Sequence, residues 1–472
     1  MNKREGNRLT VVIFGSTGNL TGDKLLPALE SILDDPLVGG DLTIVAVGRR
    51  DLDDRSYYAL MSGQLKTDLL KEKIIYVRAD VGRKDGLKDL GRFLDDRGLE
   101  NTDIIFYCAT PPDLFETISC QLHEYGLAEA APGSPFRRVV FEKPFGEDMV
   151  SAGRLLESIY GYFAEDQVIL IDHYLGKEAI QNLLILRFLN NIYAATLNTE
   201  YVREIQITVC EEEGIGDRGQ YYDDSGVIKD MLQSHILQII AFLTMERPRE
   251  NTVEDILKNK LQAIKNIRYA TPLADNIVLG QYQGYRDEKY IRPDSRTPTY
   301  LALKLFVAGG PLKDVPIFIR TGKALEKKHA RIIIQLKAKR SPFDGKLLPG
   351  NKIIVTIQPD AWIMSFFNHK VPGLTMEVKE VGQYFFREDT FVESPREGYQ
   401  RLFSEIIRGN RLLFTRAGEV IASWVFIDKL LAQIEAEGIM PAAYPRGIPD
   451  LPESQAMLQR HDFEWYEKWH LK

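Results

Sequence analysis

The sequence predicts two domains: a doubly wound α/β domain built on a parallel sheet, then a larger α+β domain whose sheet is mainly antiparallel. Three observations carry this. Up to about residue 172, short apolar runs alternate with helix-length amphipathic stretches, the rhythm of repeated βαβ units. Beyond it, period-two segments and longer helices replace that rhythm. The 472 residues, 44% hydrophobic and 27% charged, have ordinary globular composition at a length too great for one small core. The expected division is 1–172 and 173–472.

In the first domain the expected strands are Thr10–Phe14, Leu42–Val47, Ile74–Arg78, Asp103–Cys108, Arg138–Glu142 and Gln167–Ile171. Leu25–Leu33 and Leu87–Arg97 read as intervening helices, with Gly, Pro or Asp near their ends. Such a sheet presents ligand loops at the carboxyl ends of its strands. In the second domain Ala179–Asn190, Val227–Met245, Thr252–Ala263, Gly398–Arg408 and Gly418–Glu437 read as helices, and Glu204–Cys210, Ala330–Leu336 and Lys352–Gln358 as strands.

Charge and cysteine usage exclude several classes. A formal charge of −7, with no long Lys/Arg block, gives no reason to expect a nucleic-acid or membrane partner. No stretch approaches the roughly 20 apolar residues of a membrane span. The opening MNKREGNR followed by LTVVIF lacks a small-residue cleavage site, so no signal peptide is expected. Cys108, Cys120 and Cys210 form no C-x-x-C and no zinc spacing. A reducing cytoplasm and no metal are the expectations.

The stretch VVIFGSTGNLTGDK, from Val11, has a strand, glycines and then a helix. Its glycines, Gly15, Gly18 and Gly22, are spaced G-x-x-G-x-x-x-G rather than G-x-G-x-x-G. A glycine turn of this kind lets backbone N–H groups approach a pyrophosphate at a helix N-terminus, although an ordinary tight turn has the same look. The next strand, IVAVGRR, ends in Arg49 and Arg50 where an NAD site usually carries an acid. A guanidinium pair suits a 2′-phosphate and favours NADP over NAD. The bland alternative is a pair of solvated arginines neutralised by Asp51, Asp53 and Asp54. YCATPP and FEKPFG place Pro-containing turns where a Rossmann-like crevice opens, so Lys143 is expected to meet cofactor or sugar oxygens.

The stretch VILIDHYLGKEAIQNLLILRF carries a second cluster. Asp172 emerges from a buried apolar run and needs a partner. Strand geometry would send Asp172 and His173 to opposite sides. If a helix starts there, His173 and Lys177 share a face of its first turn, and His173, Tyr174 and Lys177 could hold a phosphate. His235, on a largely apolar helix, is the distant partner proposed for Asp172; a satisfied core histidine is the alternative. Asp230, five residues earlier, lies about 140° around an ideal helix from His235 and is a poor direct partner, though it could reach the same ligand.

With these residues in view, the sequence resembles the glucose-6-phosphate dehydrogenase family. FGSTGNL, VGRR, EKPFG, IDHYLGKE, GQYYDDSGVIKDMLQSHILQ, GQYQGY, VPIFIRTGKAL and IQPD occur in the family's order through most of the chain. The resemblance implies oxidation of D-glucose 6-phosphate at C1 to 6-phospho-D-glucono-1,5-lactone, with hydride passing to NADP and NAD left open as a second cofactor. His235 then matches the general base and Asp172 the carboxylate paired with it. Lys143, His173, Tyr174, Lys177, Glu211, Asp230, Lys323, Lys328 and Gln358 match substrate-contacting positions. Gly15, Ser16, Thr17, Gly18, Asn19, Leu20, Arg49, Arg50, Ala109, Pro111 and Lys143 match the cofactor site. The first domain would bind the dinucleotide. The second would bind substrate and support a homodimer or homotetramer. Asn19, Gly22 and Asp23 depart from the family's loop, and only Lys24 remains of its basic group. A glucose-fructose oxidoreductase-type enzyme can share an EKP turn but lacks IDHYLGKE with RTGK. A catalytically silent nicotinamide sensor is the reading from another class.

Overall fold

The first sheet is parallel because its strands are apolar along nearly their whole length, with no water-facing side to alternate. In the computed structural model, which describes residues 8–33, 35, 41–130, 133–384 and 398–467, it has six strands. These are β1 (Leu9–Phe14), β2 (Leu42–Gly48), β3 (Ile74–Arg78), β4 (Asp103–Cys108), β5 (Arg137–Glu142) and β6 (Val168–Ile171). Their order is β3-β2-β1-β4-β5-β6, so the order reverses between β1 and β4 and the crevice opens beyond Phe14 and Cys108. Every residue of β1 and β4 is buried. The opening MNKREGN lies outside the described residues.

The chain divides into two compact units: residues 1–176 with 396–421, and 177–395 with 422–472. The sequence reading divides it once, after 172. The late segment joins the first unit through its apolar stripe: Leu402, Phe403 and Ile406 of the helix Gly398–Arg408, with Leu413 and Phe414, share a core with Leu29, Tyr107 and Ile171. Thr415 N–H donates to Leu170 O at 3.0 Å, extending the edge at β6.

The second unit is built on a ten-stranded mixed sheet. Its strands are β7 (Val202–Cys210), β8 (Ile267–Tyr269), β9 (Ile277–Tyr282), β10 (Tyr300–Val307), β11 (Ile317–Gly322), β12 (His329–Leu336), β15 (Lys352–Gln358), β16 (Trp362–Lys370), β17 (Val378–Tyr384) and β18 (Ala442–Tyr444). Two short strands, β13 (Lys339–Arg340) and β14 (Leu347–Leu348), pair apart from it. The order is β17-β16-β15-β12-β7-β11-β10-β9-β18, with β8 on β10. Pairing is antiparallel except at β7·β11 and β9·β18.

Two local expectations change. Residues His173–Gly176 form one 3₁₀ turn, and Lys177 then has extended backbone, φ −72° and ψ 134°, ahead of the helix Glu178–Leu189. His173 and Lys177 therefore do not share a helical face. The long helix expected over Val227–Met245 is wound more loosely in its first half: Ile228–Ile236 is a π-helix and Leu237–Thr244 an α-helix. Hydrogen bonding five residues apart brings Asp230 and His235 closer to one face than the 140° of an ideal α-helix allows.

Candidate cofactor and substrate sites

After β1 the chain turns at Gly15, whose φ of 76° few side chains tolerate. A Cβ there would lie 2.6 Å from Ala109 O, so the loops after β1 and β4 approach as closely as backbones can. Gly18 N–H donates to Gly15 O at 3.1 Å, Ser16 N–H to Val47 O at 3.1 Å, and Tyr57 hydroxyl to Ser16 O at 2.9 Å. The turn is thus fixed before any ligand arrives. The Ser16, Thr21 and Thr110 hydroxyls are buried around it with no hydrogen-bond partner among the described residues. Those orphaned donors and the glycine turn fit a dinucleotide's phosphates. Gly18 and Asn19 are exposed there, and Thr17 and Leu20 half-buried.

Gly22 is buried beside Met61, and a Cβ there would lie 3.1 Å from Met61 Cε. The helix starts earlier than expected, with a π-helical turn over Thr21–Leu25. At the end of β2, Arg49 and Arg50 are both exposed, but only Arg49 lines the neighbouring cavity. The Arg50 carbonyl accepts from the Tyr76 hydroxyl at 2.8 Å. Ala109 is half-buried and Pro111 exposed at the end of β4.

At the end of β5, Lys143 is half-buried and follows the buried Glu142. Glu142 Oε1 accepts from Tyr107 hydroxyl at 2.5 Å and from Tyr399 hydroxyl at 3.1 Å. Burial pushes its pKa up to about 7, although the tyrosine hydrogen bonds pull the other way and the Asp172 charge adds to the rise. Asp172, 3% exposed, follows β6 and accepts from Tyr174 N–H at 3.0 Å through Oδ1. His173 stacks on Tyr399, rings 6.5 Å apart and 6° from parallel, and meets Tyr174 edge-on.

In the second unit the parallel register Gly322↔Cys210 sets Lys323 and Glu211 side by side, each one residue beyond its strand. Lys323, 2% exposed, pairs with Glu211 and lies 3.8 Å from Asp230 Oδ2. Its Nζ is 5.2 Å from the centre of the Tyr222 ring, whose buried hydroxyl has no hydrogen-bond partner among the described residues. Tyr444 hydroxyl donates to Lys323 O at 2.7 Å and holds the turn. His235, 2% exposed, lies on the helix that carries Asp230. Gln358 pairs with Ala330 at the end of β15, while Lys328 is exposed, 4.0 Å from Glu213. Lys177, half-buried, precedes the helix Glu178–Leu189.

Tyr107, Glu142, Tyr222 and Tyr399 are site neighbours that sequence reasoning missed. Glu142 had a signal, an acid ending an apolar strand beside Lys143. Tyr399 had none, since 257 residues separate it from Glu142.

Comparison with known proteins bears on both units. Residues 12–182 match the model of the glucose-6-phosphate dehydrogenase NAD binding domain, and 184–466 that of the C-terminal domain. The chain is 34% identical over 457 residues to glucose-6-phosphate 1-dehydrogenase of Chlamydia muridarum, covering 90% of each. It is 35% identical over 448 residues to that of Aggregatibacter actinomycetemcomitans, covering 89% of this chain and 90% of the relative. A solved glucose-6-phosphate dehydrogenase in complex with glucose 6-phosphate matches 99% of this chain and all of its own, with a TM-score of 0.89 at 28% identity. The chain belongs to the glucose-6-phosphate dehydrogenase family.

Proposed function

We propose that the chain oxidises D-glucose 6-phosphate at C1 to 6-phospho-D-glucono-1,5-lactone and that NADP is its preferred hydride acceptor. The observation that carries this best is the buried Lys323, held by Glu211 and Asp230, with His235 on the same helix as Asp230. Such a set orients a polyhydroxyl substrate beside a base.

In this reading His235 takes the C1 hydroxyl proton as hydride leaves, since an imidazole with a reference pKa of about 6.5 accepts a proton near neutrality. Asp172 orients the ring and stabilises the imidazolium. His173, Tyr174 and Lys177 bind the sugar phosphate. Lys143, Glu211, Asp230, Lys323, Lys328 and Gln358 hold sugar oxygens. Gly15 to Leu20, Arg49, Arg50, Ala109, Pro111 and Lys143 hold the dinucleotide. Hydride acceptance is the chemistry the nicotinamide supplies when bound.

The dinucleotide role goes with residues 1–172, and substrate binding and self-association with 173–472, as a homodimer or homotetramer in the cytoplasm. Family resemblance and three free cysteines support that location. Among the described residues no helix is long and apolar enough to cross a membrane.

Reduced-nicotinamide absorbance should rise when the protein meets glucose 6-phosphate with NADP. A flat trace with both NADP and NAD, from folded protein that binds cofactor, overturns the proposal. His235→Asn should lower kcat by about 10²- to 10⁴-fold with substrate binding largely kept. Asp172→Asn should lower it too, and the double variant should be little worse than His235→Asn alone, because the pair acts as one unit. Additive losses would separate the two roles.

A further inference from the structure

Beside the end of β2, the connection that follows β3 lines a cavity of about 620 Å³ with Arg78, Arg83 and Lys84, and Arg49 completes its wall. Four cations crowd one surface hollow, and their repulsion must be answered by anions. Arg78 Nη1 lies 2.9 Å from Asp51 Oδ1, and Arg83 Nε 3.5 Å from Asp80 Oδ2. Arg49 and Lys84 have no carboxylate at ion-pair distance among the described residues. Asp85, which accepts from the Tyr125 hydroxyl at 3.0 Å, lines the same wall without an ion pair to either among the described residues, so Arg49 and Lys84 are the two cations of the hollow outside the ion pairs.

The loop after β3 that carries Arg83 and Lys84 is closely hydrogen-bonded. Arg83 N–H donates to Asp80 O and Gly86 N–H to Arg83 O, each at 3.0 Å, and Ala79 N–H to Gly48 O at 2.9 Å. The loop closes so tightly that a Cβ on Gly86 would lie 2.0 Å from Asp80 O. The buried Gln121 staples it, accepting from Leu87 N–H at 2.8 Å and donating to Val81 O at 3.0 Å. The Arg78–Asp51 pair, by contrast, is 61% and 86% exposed and therefore weak and exchangeable.

We propose that Arg78 and Lys84 complete, with Arg49, a site for a phosphomonoester dianion that selects the 2′-phosphorylated cofactor. The inference rests on the NADP reading above and extends it to residues outside the Arg49–Arg50 pair. Arg78 leaves Asp51 for the phosphate, Lys84 supplies the second free charge, and Arg83 stays with Asp80 to hold the loop. The phosphate loop lacks cations at Gly22 and Asp23, and the β3 side provides them instead.

The test is calorimetric titration of the full chain with adenosine 2′,5′-bisphosphate and with 5′-AMP, so that no turnover is needed. Arg78→Ala and Lys84→Ala should each weaken the bisphosphate by about tenfold or more, as lost charge-assisted hydrogen bonds do. Binding of 5′-AMP should change by less than about twofold, since the removed groups do not face it. Asp51→Asn should tighten the bisphosphate by releasing Arg78. Equal losses for both probes, or an unchanged bisphosphate affinity in Arg78→Ala and Lys84→Ala while Arg49→Ala loses it, overturn the proposal and leave the NADP reading standing. A wild-type chain that binds both probes equally overturns both. All four substituted side chains are exposed, so an unchanged melting temperature confirms that folding is intact.

Discussion

Glu142 is 9% exposed at the end of β5, in a place where a carboxylate loses most of its hydration. Two tyrosine hydroxyls compensate in part, and burial still leaves its pKa at about 7 against an ordinary value of 4.5. The folded state therefore binds this proton more tightly than the unfolded chain does. The resulting stability is full below pH 4.5 and is lost as pH rises through 7. Glu142→Gln keeps an acceptor for Tyr107 and Tyr399 and removes the charge. Urea unfolding from pH 5 to 8 should then lose less stability than in the wild type, by on the order of 2 kcal/mol; parallel curves for the two proteins would reject the assignment. At this scale the sequence shows the acid and its lysine neighbour. It does not show the two tyrosines, because Tyr399 reaches Glu142 only through the packing of the helix Gly398–Arg408.

Among the elements, the six strands of the first sheet and β7, β12 and β15 of the second were legible to within two residues, whereas β8 to β11 and β16 to β18 were not named from the sequence. The expected Leu42–Val47, Ile74–Arg78, Asp103–Cys108 and Lys352–Gln358 differ from β2, β3, β4 and β15 by one residue at most, since continuous apolar runs and clean alternation are strong local signals. Helix winding was not legible: Thr21–Leu25 and Ile228–Ile236 are π-helical, and no side-chain period in so short a span separates that from an α-helix. Strand register was also hidden. The Gly322↔Cys210 pairing makes neighbours of Lys323 and Glu211, 112 residues apart in sequence. The same edge holds His329, at the start of β12, where burial, with the Arg331 charge behind it, lowers its pKa to about 4. Its unfolded value is 6.5, so stability present above that pH is lost as pH falls toward 4. His329→Gln should flatten the fall of the melting temperature over that window, by about 1 to 2 kcal/mol in the underlying stability. An acid limb identical to the wild type's would show that His329 does not contribute to it.

For the whole molecule, the first unit borrows residues 396–421 from late in the chain. A fragment of residues 1–176 lacks Leu402, Phe403, Ile406, Leu413 and Phe414, which fill one face of its core. It should express as an aggregating or molten species that binds a hydrophobic dye, while the same fragment carrying 398–421 on a flexible linker should melt cooperatively. A cooperative melt of 1–176 alone would show that those contacts are dispensable. The sequence by itself determined the family, the strands of the first sheet and the residue types at their ends, because periodicity, turn chemistry and motif order are local properties. Only the tertiary structure decided which helix closes the first core, which strands run parallel in the second sheet, that Arg49 rather than Arg50 lines the cavity with Arg78 and Lys84, and that Glu142 lies between two tyrosines. Those outcomes come from burial and charge pairing between residues far apart in the chain. Hydrophobic burial is non-directional and leaves no period in the sequence to say which partner it will find.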